Sequence, residues 1–257
     1  MDYELLGIGS SSLVSAASDG KTVLKGYQVW IGGVLCGAKE HSDGCEESLA
    51  REEAVYQHIG EHRHILRCYG LVEVHPGIHA LRLERALYGN IRQFIRDHKD
   101  KPPSKQDRLK MALGISRGVA YMHAKNVIHC DISCRNLFLF PNWCVKVGDF
   151  GSSILDGTLP IHDIVEEIRY ELPLRGRDFM ERPCDKRELF ALGSAIYEVM
   201  AWKEPFEGLE DDDVEKKYAA EDFPDITSLF AGDVVHACWK VKFDTASEVE
   251  DALTALA

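Results

Sequence analysis

The sequence has 257 residues and a formal net charge of −12 at pH 7. A chain of this length can bury a sizeable core, and we expect a single domain with no second module. The acidic balance argues against a nucleic-acid partner or an anionic membrane surface, because each would favour a basic face. A small anionic ligand stays possible, since it needs only local positive charge.

The eight cysteines are scattered and form no C-x-x-C pair. This favours reduced thiols over a disulfide or zinc framework. The first residues, MDYELLGIGSSS, lack the basic region and apolar run of a signal peptide. No stretch is long and apolar enough to indicate a membrane span. We therefore expect an intracellular protein, cytoplasmic or nuclear, without a membrane partner, and the sequence gives no basis for predicting an oligomer.

The first predicted elements are two strands joined by a glycine turn within LLGIGSSSLV, residues 5–14. Gly7 and Gly9 let the backbone bend tightly and approach a phosphate closely, although glycine and serine turns are common. A third strand is predicted over residues 22–25 and ends at Lys25. A lysine in this place is usually a surface residue with a packed stem. Residues 26–45 are predicted to hold an extra hairpin.

A helix is predicted in SLAREEAVYQHIG, residues 48–60, because one face carries residues at i, i+3, i+4 and i+7: Glu52, Val55, Tyr56 and Ile59. An acid on an apolar stripe needs a buried counter-charge, which Lys25 can provide. Glu53 is the alternative partner, and we prefer Glu52. Two further strands are predicted over residues 65–74 and 78–84, followed by helices that begin near Ile91 and Ser104.

The stretch from Val127 to Gly151 reads VIHCDISCRNLFLFPNWCVKVGDFG. Pro141-Asn142 is predicted to turn a short antiparallel hairpin. Because a hairpin returns the chain to its start, Asp149 should lie near Asn136. Asp131, Asn136 and Asp149 together offer the oxygen ligands that a hard divalent cation prefers. Taken one at a time, each of these residues is also an ordinary loop residue.

Four segments resemble the signature of the protein kinase family. HCDISCRN is similar to the catalytic loop H-R-D-L-x-x-x-N, with Cys130 in the Arg place, and Asp149 begins an intact D-F-G. GIGSSSLV resembles the glycine-rich loop, with Ser12 at the third glycine, and TVLK resembles V-A-I-K. The resemblance covers essentially the whole chain. It implies an α+β, two-lobed fold, with a small antiparallel β N-lobe carrying one helix and a larger, mainly helical C-lobe.

The resemblance also implies boundaries and roles. The N-lobe would span about 1–84, the hinge 84–90 and the C-lobe 91–257. The reaction would be phosphoryl transfer from ATP with Mg²⁺, in which Asp131 accepts a proton and Lys25 holds phosphates. Asn136 and Asp149 would hold Mg²⁺. The nucleotide would lie against the following residues: Leu6, Gly7, Ile8, Gly9, Val14, Lys25, Glu52, Glu84 and Ala86.

Several positions depart from the family pattern. Cys130 replaces an arginine that in many kinases pairs with a phosphate on the activation segment, so phosphorylation at Ser152, Ser153 or Thr158 has no obvious arginine pocket. In YELPL, Leu174 stands where the family has Glu. A second hypothesis is therefore a pseudokinase that binds nucleotide or serves as a scaffold.

Other departures concern the acceptor and the support of the catalytic loop. Glu167 replaces a frequent Thr, and Glu188 replaces an Asp, with a longer side chain that can still reach the catalytic-loop backbone. Ser133 stands where serine/threonine kinases carry Lys, and Arg135 matches some tyrosine kinases. The run HCDISCRNLFL and the FALGS helix look like small serine/threonine-type kinases of filamentous fungi. We favour a protein substrate with a Ser/Thr hydroxyl over a Tyr-directed or dual-specificity enzyme.

Overall fold

The computed structural model describes residues 4–8, 12–31, 34–37, 45–155 and 166–257. These residues form two compact units. The first holds the described residues up to His62, with Leu66–Ala86 and Asp149–Gly151, and the second holds the remainder. The boundaries predicted above for lobes and hinge stay a prediction.

The first unit is built on an antiparallel sheet of five strands in the order β1-β2-β3-β7-β6. Its strands and helix are β1 (Leu5–Ile8), β2 (Leu13–Ala16), β3 (Thr22–Gly26), β4 (Gln28–Ile31), β5 (Val34–Gly37), α1 (Cys45–Ile59), β6 (Cys68–His75) and β7 (Ile78–Glu84). β4 and β5 form a separate hairpin where the extra hairpin was predicted. α1 packs against β6 and β7.

Tight turns join neighbouring strands of this sheet, and its middle strand is buried. The turn before β3 is fixed by Asp19, whose carboxylate accepts the amides of Lys21 and Thr22 at 2.8 Å. Gly77 has φ 75° between β6 and β7, a left-handed conformation that glycine adopts without steric cost. All five residues of β3 are buried between β2 and β7. β3 is therefore the central strand, and it presents Lys25 from the middle of the sheet.

The second unit is mainly helical. Its elements are α2 (Ile91–Asp97), α3 (Lys105–His123), β8 (Val127–Ile128), β9 (Leu137–Phe140), β10 (Cys144–Val147), β11 (Ile154–Leu155), α4 (Cys184–Ala201), α5 (Asp211–Ala219), α6 (Gly232–Trp239) and α7 (Ala246–Thr254). Asn90, Ser104 and Thr245 each accept an amide of the first helical turn, as side chains at N-caps do.

α3 supports the short hairpin that follows it. α3 packs against β10, and a Cβ at Gly118 would lie only 2.7 Å from Val147 Cγ2. β9 and β10 pair antiparallel from Leu137↔Val147 to Phe140↔Cys144, which confirms the predicted hairpin. The amide of Gly148 donates to the carbonyl of Asn136 at 3.0 Å. The chain just before Asp149 therefore returns to the catalytic loop, residues 129–136.

Candidate active site

Lys25 is the central charge of the first unit. Its residue is 7% exposed, and its Nζ donates to Glu52 Oε2 at 2.6 Å and to Asp149 Oδ1 at 2.7 Å. Burying an ammonium group is costly unless it is paired and hydrogen-bonded. Two carboxylates from α1 and from the segment after β10 meet that requirement.

α1 presents Glu52, and not Glu53, to Lys25. Glu52 is 2% exposed and lies on the buried face of α1 with Val55, Tyr56 and Ile59. Glu53 accepts the amide of Leu71 at 2.9 Å. One residue along a helix turns the side chain by about 100°, so neighbouring glutamates reach different partners.

Asp149 is held by its backbone as well as by Lys25. Its amide donates to the Tyr56 hydroxyl at 3.3 Å, and the ring of Phe150 packs edge-on against Tyr56 at 4.8 Å. Asp149 has φ 65°, a conformation that costs a non-glycine residue about 1–3 kcal/mol and occurs at functional sites. Its side chain is 44% exposed. The Asp149 carboxylate is thus bonded to Lys25 and remains partly exposed.

Burial and neighbouring charges shift the pKa values of Lys25 and Glu52. Burial alone would lower the pKa of Lys25, but the carboxylates of Asp149 and Glu52 outweigh burial and raise it. Burial raises the pKa of Glu52, and Lys25 opposes that rise. Lys25 therefore stays protonated at neutral pH.

The catalytic loop holds the two other predicted polar residues. The Asn136 amide nitrogen donates to the backbone oxygen and to Oδ2 of Asp131, both at 2.8 Å. The amide of Asp131 donates to His129 Nδ1 at 3.3 Å, so Nε2 carries the proton and donates to the Gly148 carbonyl at 3.0 Å. The buried His129 ring therefore ties Asp131 to the end of the hairpin.

Glu188 of α4 supports the same loop from below. Its Oε1 accepts the amide of Cys130 at 2.9 Å, and its Oε2 is hydrogen-bonded to His123 Nε2. Cys130 has φ 67°, so the loop needs this contact at a strained residue. The expectation that the longer acid reaches the catalytic-loop backbone is confirmed.

The His123–Glu188 pair predicts a pH-dependent stability. Burial would lower the pKa of His123, but the hydrogen bond and charge of Glu188, with the charge of Asp185, raise it. The stabilisation is therefore fully present below the unfolded value of about 6.5 and is lost as pH rises through the folded value. His123→Gln keeps a donor and removes the charge. At pH 6 we expect the free energy of unfolding of the wild type to be about 1 kcal/mol larger than that of this variant. Charge-assisted hydrogen bonds are about twice as strong as neutral ones.

Urea unfolding of both proteins at pH 6 and pH 9 measures this difference. The gap between their free energies of unfolding should narrow at the higher pH. A gap that widens with pH would contradict the assigned pair.

The remaining predicted nucleotide-binding residues lie along the sheet. In the register, Val14 is opposite both Gly7 and Lys25. Leu6 is 41% exposed, Ile8 ends β1, and Gly9 lies outside the described residues.

Glu84 and Ala86 follow at the end of β7. Glu84 ends that strand, and its amide donates to the Arg67 carbonyl at 2.9 Å. Ala86 comes two residues later. The predicted adenine contacts at these two backbone positions stay a prediction.

Asn136 and Asp149 are the residues predicted to hold Mg²⁺. The amide nitrogen of Asn136 is bonded to Asp131, and an amide oxygen is the kind of atom that can bind a hard cation. The described residues contain no cluster of three or more His, Cys, Asp or Glu that could hold a metal. The assignment of Mg²⁺ to Asn136 and Asp149 stays a prediction.

Sequence reasoning missed two residues that position this site. Tyr56 was identified only as part of an apolar face, and His129 only as a letter of the catalytic loop. A hydroxyl on the buried face of a helix needs a hydrogen-bond partner, and that requirement is the signal that points to Tyr56.

Comparison with known proteins identifies the family. The family described as protein tyrosine and serine/threonine kinase matches residues 4–162, more than half of the chain. The chain belongs to the protein kinase family, and the predicted α+β kinase fold class is confirmed.

The chain is 28% identical over 212 residues to mitogen-activated protein kinase kinase kinase 20 of Arabidopsis thaliana, covering 78% of this chain and 58% of that protein. It is 28% identical over 200 residues to Aurora kinase C of Mus musculus, covering 77% and 70%. It is 27% identical over 178 residues to fibroblast growth factor receptor 1 of Dugesia japonica, covering 62% and 21%. The chain thus spans only part of the length of these relatives.

Proposed function

We propose that the protein is an ATP-dependent protein kinase that transfers a phosphoryl group to a Ser/Thr hydroxyl of a protein substrate. The observation that carries the proposal is the buried Lys25 ammonium held by both Glu52 and Asp149 in a chain that belongs to this family. Such an arrangement has little structural benefit, because a buried ion pair is often no more stabilising than apolar residues of the same volume.

Each residue has a role that follows from its surroundings. Lys25 binds the negative oxygens of the nucleotide phosphates, and Glu52 keeps it charged and in place. Asp149 and Asn136 provide oxygen ligands for Mg²⁺, which neutralises phosphate charge when bound. Asp131, oriented by Asn136 and His129, accepts the proton of the acceptor hydroxyl. Since phosphoryl transfer has a loose transition state, positioning and charge account for most of the catalysis.

The surroundings of the protein follow from the same proposal. None of the helices in the described part of the chain combines the length and apolar character that a membrane crossing requires. Each of the seven cysteines whose side chains the structure describes is a free thiol, which suits a reducing compartment. We place the protein in the cytoplasm or nucleus, with a protein substrate and no nucleic-acid partner.

Binding of Mg-ATP is the first test. With ligand 100-fold above its dissociation constant, the folded state should gain about 2.7 kcal/mol, measured as a rise in the unfolding midpoint. If millimolar Mg-ATP does not raise the unfolding midpoint, both the kinase hypothesis and the nucleotide-binding scaffold hypothesis are excluded.

The acceptor class needs a separate measurement. Relatives named above include kinases and a growth factor receptor, and Arg135 matches the spacing of some tyrosine kinases. Transfer from labelled ATP to generic protein acceptors, followed by phosphoamino-acid analysis, separates the alternatives. Label on serine or threonine is expected, and label only on tyrosine would contradict the proposed acceptor.

A further inference from the structure

At the end of the activation segment, Glu166 is buried and the adjacent Glu167 is half-buried. Glu166 is 8% exposed, and the side chain of Glu167 is 14% exposed. Carboxylates in a loop are rarely buried unless arginine or lysine compensates their charge. Their partners therefore indicate what this part of the chain is fixed to.

Glu166 is held by arginines from α4 and the loop before it. Arg187 Nε donates to its Oε1 at 2.9 Å, and Arg182 Nη2 lies 3.5 Å from its Oε2. Arg182 also donates to Glu171 Oε1 at 2.9 Å and to the carbonyl of Leu172. The two arginines are 2% and 5% exposed. They fix the segment 166–172 at three separate points.

Glu167 connects the same segment to the catalytic loop. Arg92 Nη1 donates to its Oε1 at 2.8 Å, and Arg135 Nε lies 3.2 Å from its Oε2. Three residues later, the Tyr170 hydroxyl accepts the amide of Cys134 at 3.3 Å. Two of these partners, Arg135 and Cys134, belong to the loop that carries Asp131.

The described side chains around Cys130 leave little free space. Cys130, Glu166, Arg187 and Glu188 line a cavity of about 10 Å³, which is about the space of one water molecule. Burial raises the pKa of the Cys130 thiol, so this residue is neutral. Ser153 is fully buried and its hydroxyl donates to the His129 carbonyl at 3.4 Å. Arg187 is a cation beside the activation segment, and it is already paired with the Glu166 carboxylate.

We propose that Glu166 and Glu167 are positioning residues that order the end of the activation segment without phosphorylation. Glu166 uses Arg187 and Arg182 in place of a catalytic-loop arginine, and Glu167 transmits the order to the catalytic loop through Arg135. This inference rests on the proposed kinase function. The carboxylates that order the segment belong to the sequence itself. Activity therefore does not require phosphorylation by another kinase.

The first experiment compares the protein before and after treatment with a broad-specificity protein phosphatase, with mass spectrometry confirming that no phosphate remains. Transfer to a generic acceptor should be the same before and after the treatment. A loss of about tenfold or more on dephosphorylation would overturn the proposal.

The second experiment uses Glu166→Gln, which keeps shape and loses charge, and Arg135→Gln, whose side chain is 55% exposed and does not endanger folding. Glu215→Gln, on the exposed face of α5, is the matched control. Amide hydrogen exchange at residues 166–172 should accelerate in both test variants only. kcat/KM for the acceptor should fall about tenfold in Glu166→Gln, the loss of one charge-assisted hydrogen bond, and less in Arg135→Gln, whose ion pair with Glu167 is partly exposed, while KM for Mg-ATP stays constant.

The two readouts separate the possible failures. If amide exchange at residues 166–172 is the same in wild type and both variants, Glu166 and Glu167 do not order this segment, whatever the transfer activity. If the wild type binds Mg-ATP and phosphorylates no acceptor, the kinase proposal fails, and the exchange comparison still decides whether the glutamates order the segment.

Discussion

Asp131→Asn should lower the rate of phosphoryl transfer by about 10²–10⁴, the contribution of a positioned general base. The substitution keeps an oxygen where Asn136 donates to Oδ2, and the second Asn136 bond goes to the backbone of residue 131. We therefore expect the catalytic loop to keep its conformation. Stabilisation by Mg-ATP should be unchanged, because Lys25 and Asp149 remain.

The matched control for this variant is Asp100→Asn, which makes the same chemical change at an exposed position. It should transfer phosphate at the wild-type rate. Initial rates with labelled ATP at saturating acceptor measure the difference. Equal transfer by wild type and Asp131→Asn would show that Asp131 is not the proton acceptor, even if the protein is a kinase.

The elements that sequence predicted well are those with a local signal. α3 begins after Ser104 because two prolines precede a residue that can cap the helix, and the cap is present. The β9–β10 hairpin follows from an apolar run, a Pro-Asn turn and a second apolar run. The choice of Glu52 over Glu53 depended on helical periodicity alone, and Lys25 bonds Glu52.

The contacts that sequence could not predict join residues far apart in the chain. Arg92 Nε bonds Glu198 Oε1 at 2.5 Å across 106 positions, and Arg187 bonds Glu166 across 21 positions. No periodicity or motif marks such pairs, since each member alone resembles a solvated charge. From the motif, Cys130 indicated only that the arginine that pairs with an activating phosphate is missing. The structure adds the pair of Glu166 and Arg187, which only packing brings together.

Lys25→Met should destabilise the protein and abolish nucleotide binding. It leaves Glu52, whose side chain is 3% exposed, without its cation, and removing one partner of a buried ion pair costs about 3–5 kcal/mol. That is a large share of the about 5–15 kcal/mol that stabilises a typical domain. Lys21→Met, at an exposed position just before β3, is the control. Urea unfolding with and without Mg-ATP measures both effects.

The double variant Lys25→Met/Glu52→Leu separates stability from function. With both buried charges replaced by apolar side chains, much of the lost stability should return, because the desolvation cost of each charge disappears. Stabilisation by Mg-ATP and phosphoryl transfer should stay absent, since no cation remains to bind the phosphates. If the double variant regains Mg-ATP binding along with stability, Lys25 is a structural residue and the phosphate-binding role belongs to another group. If it regains stability alone, the buried pair exists for the nucleotide.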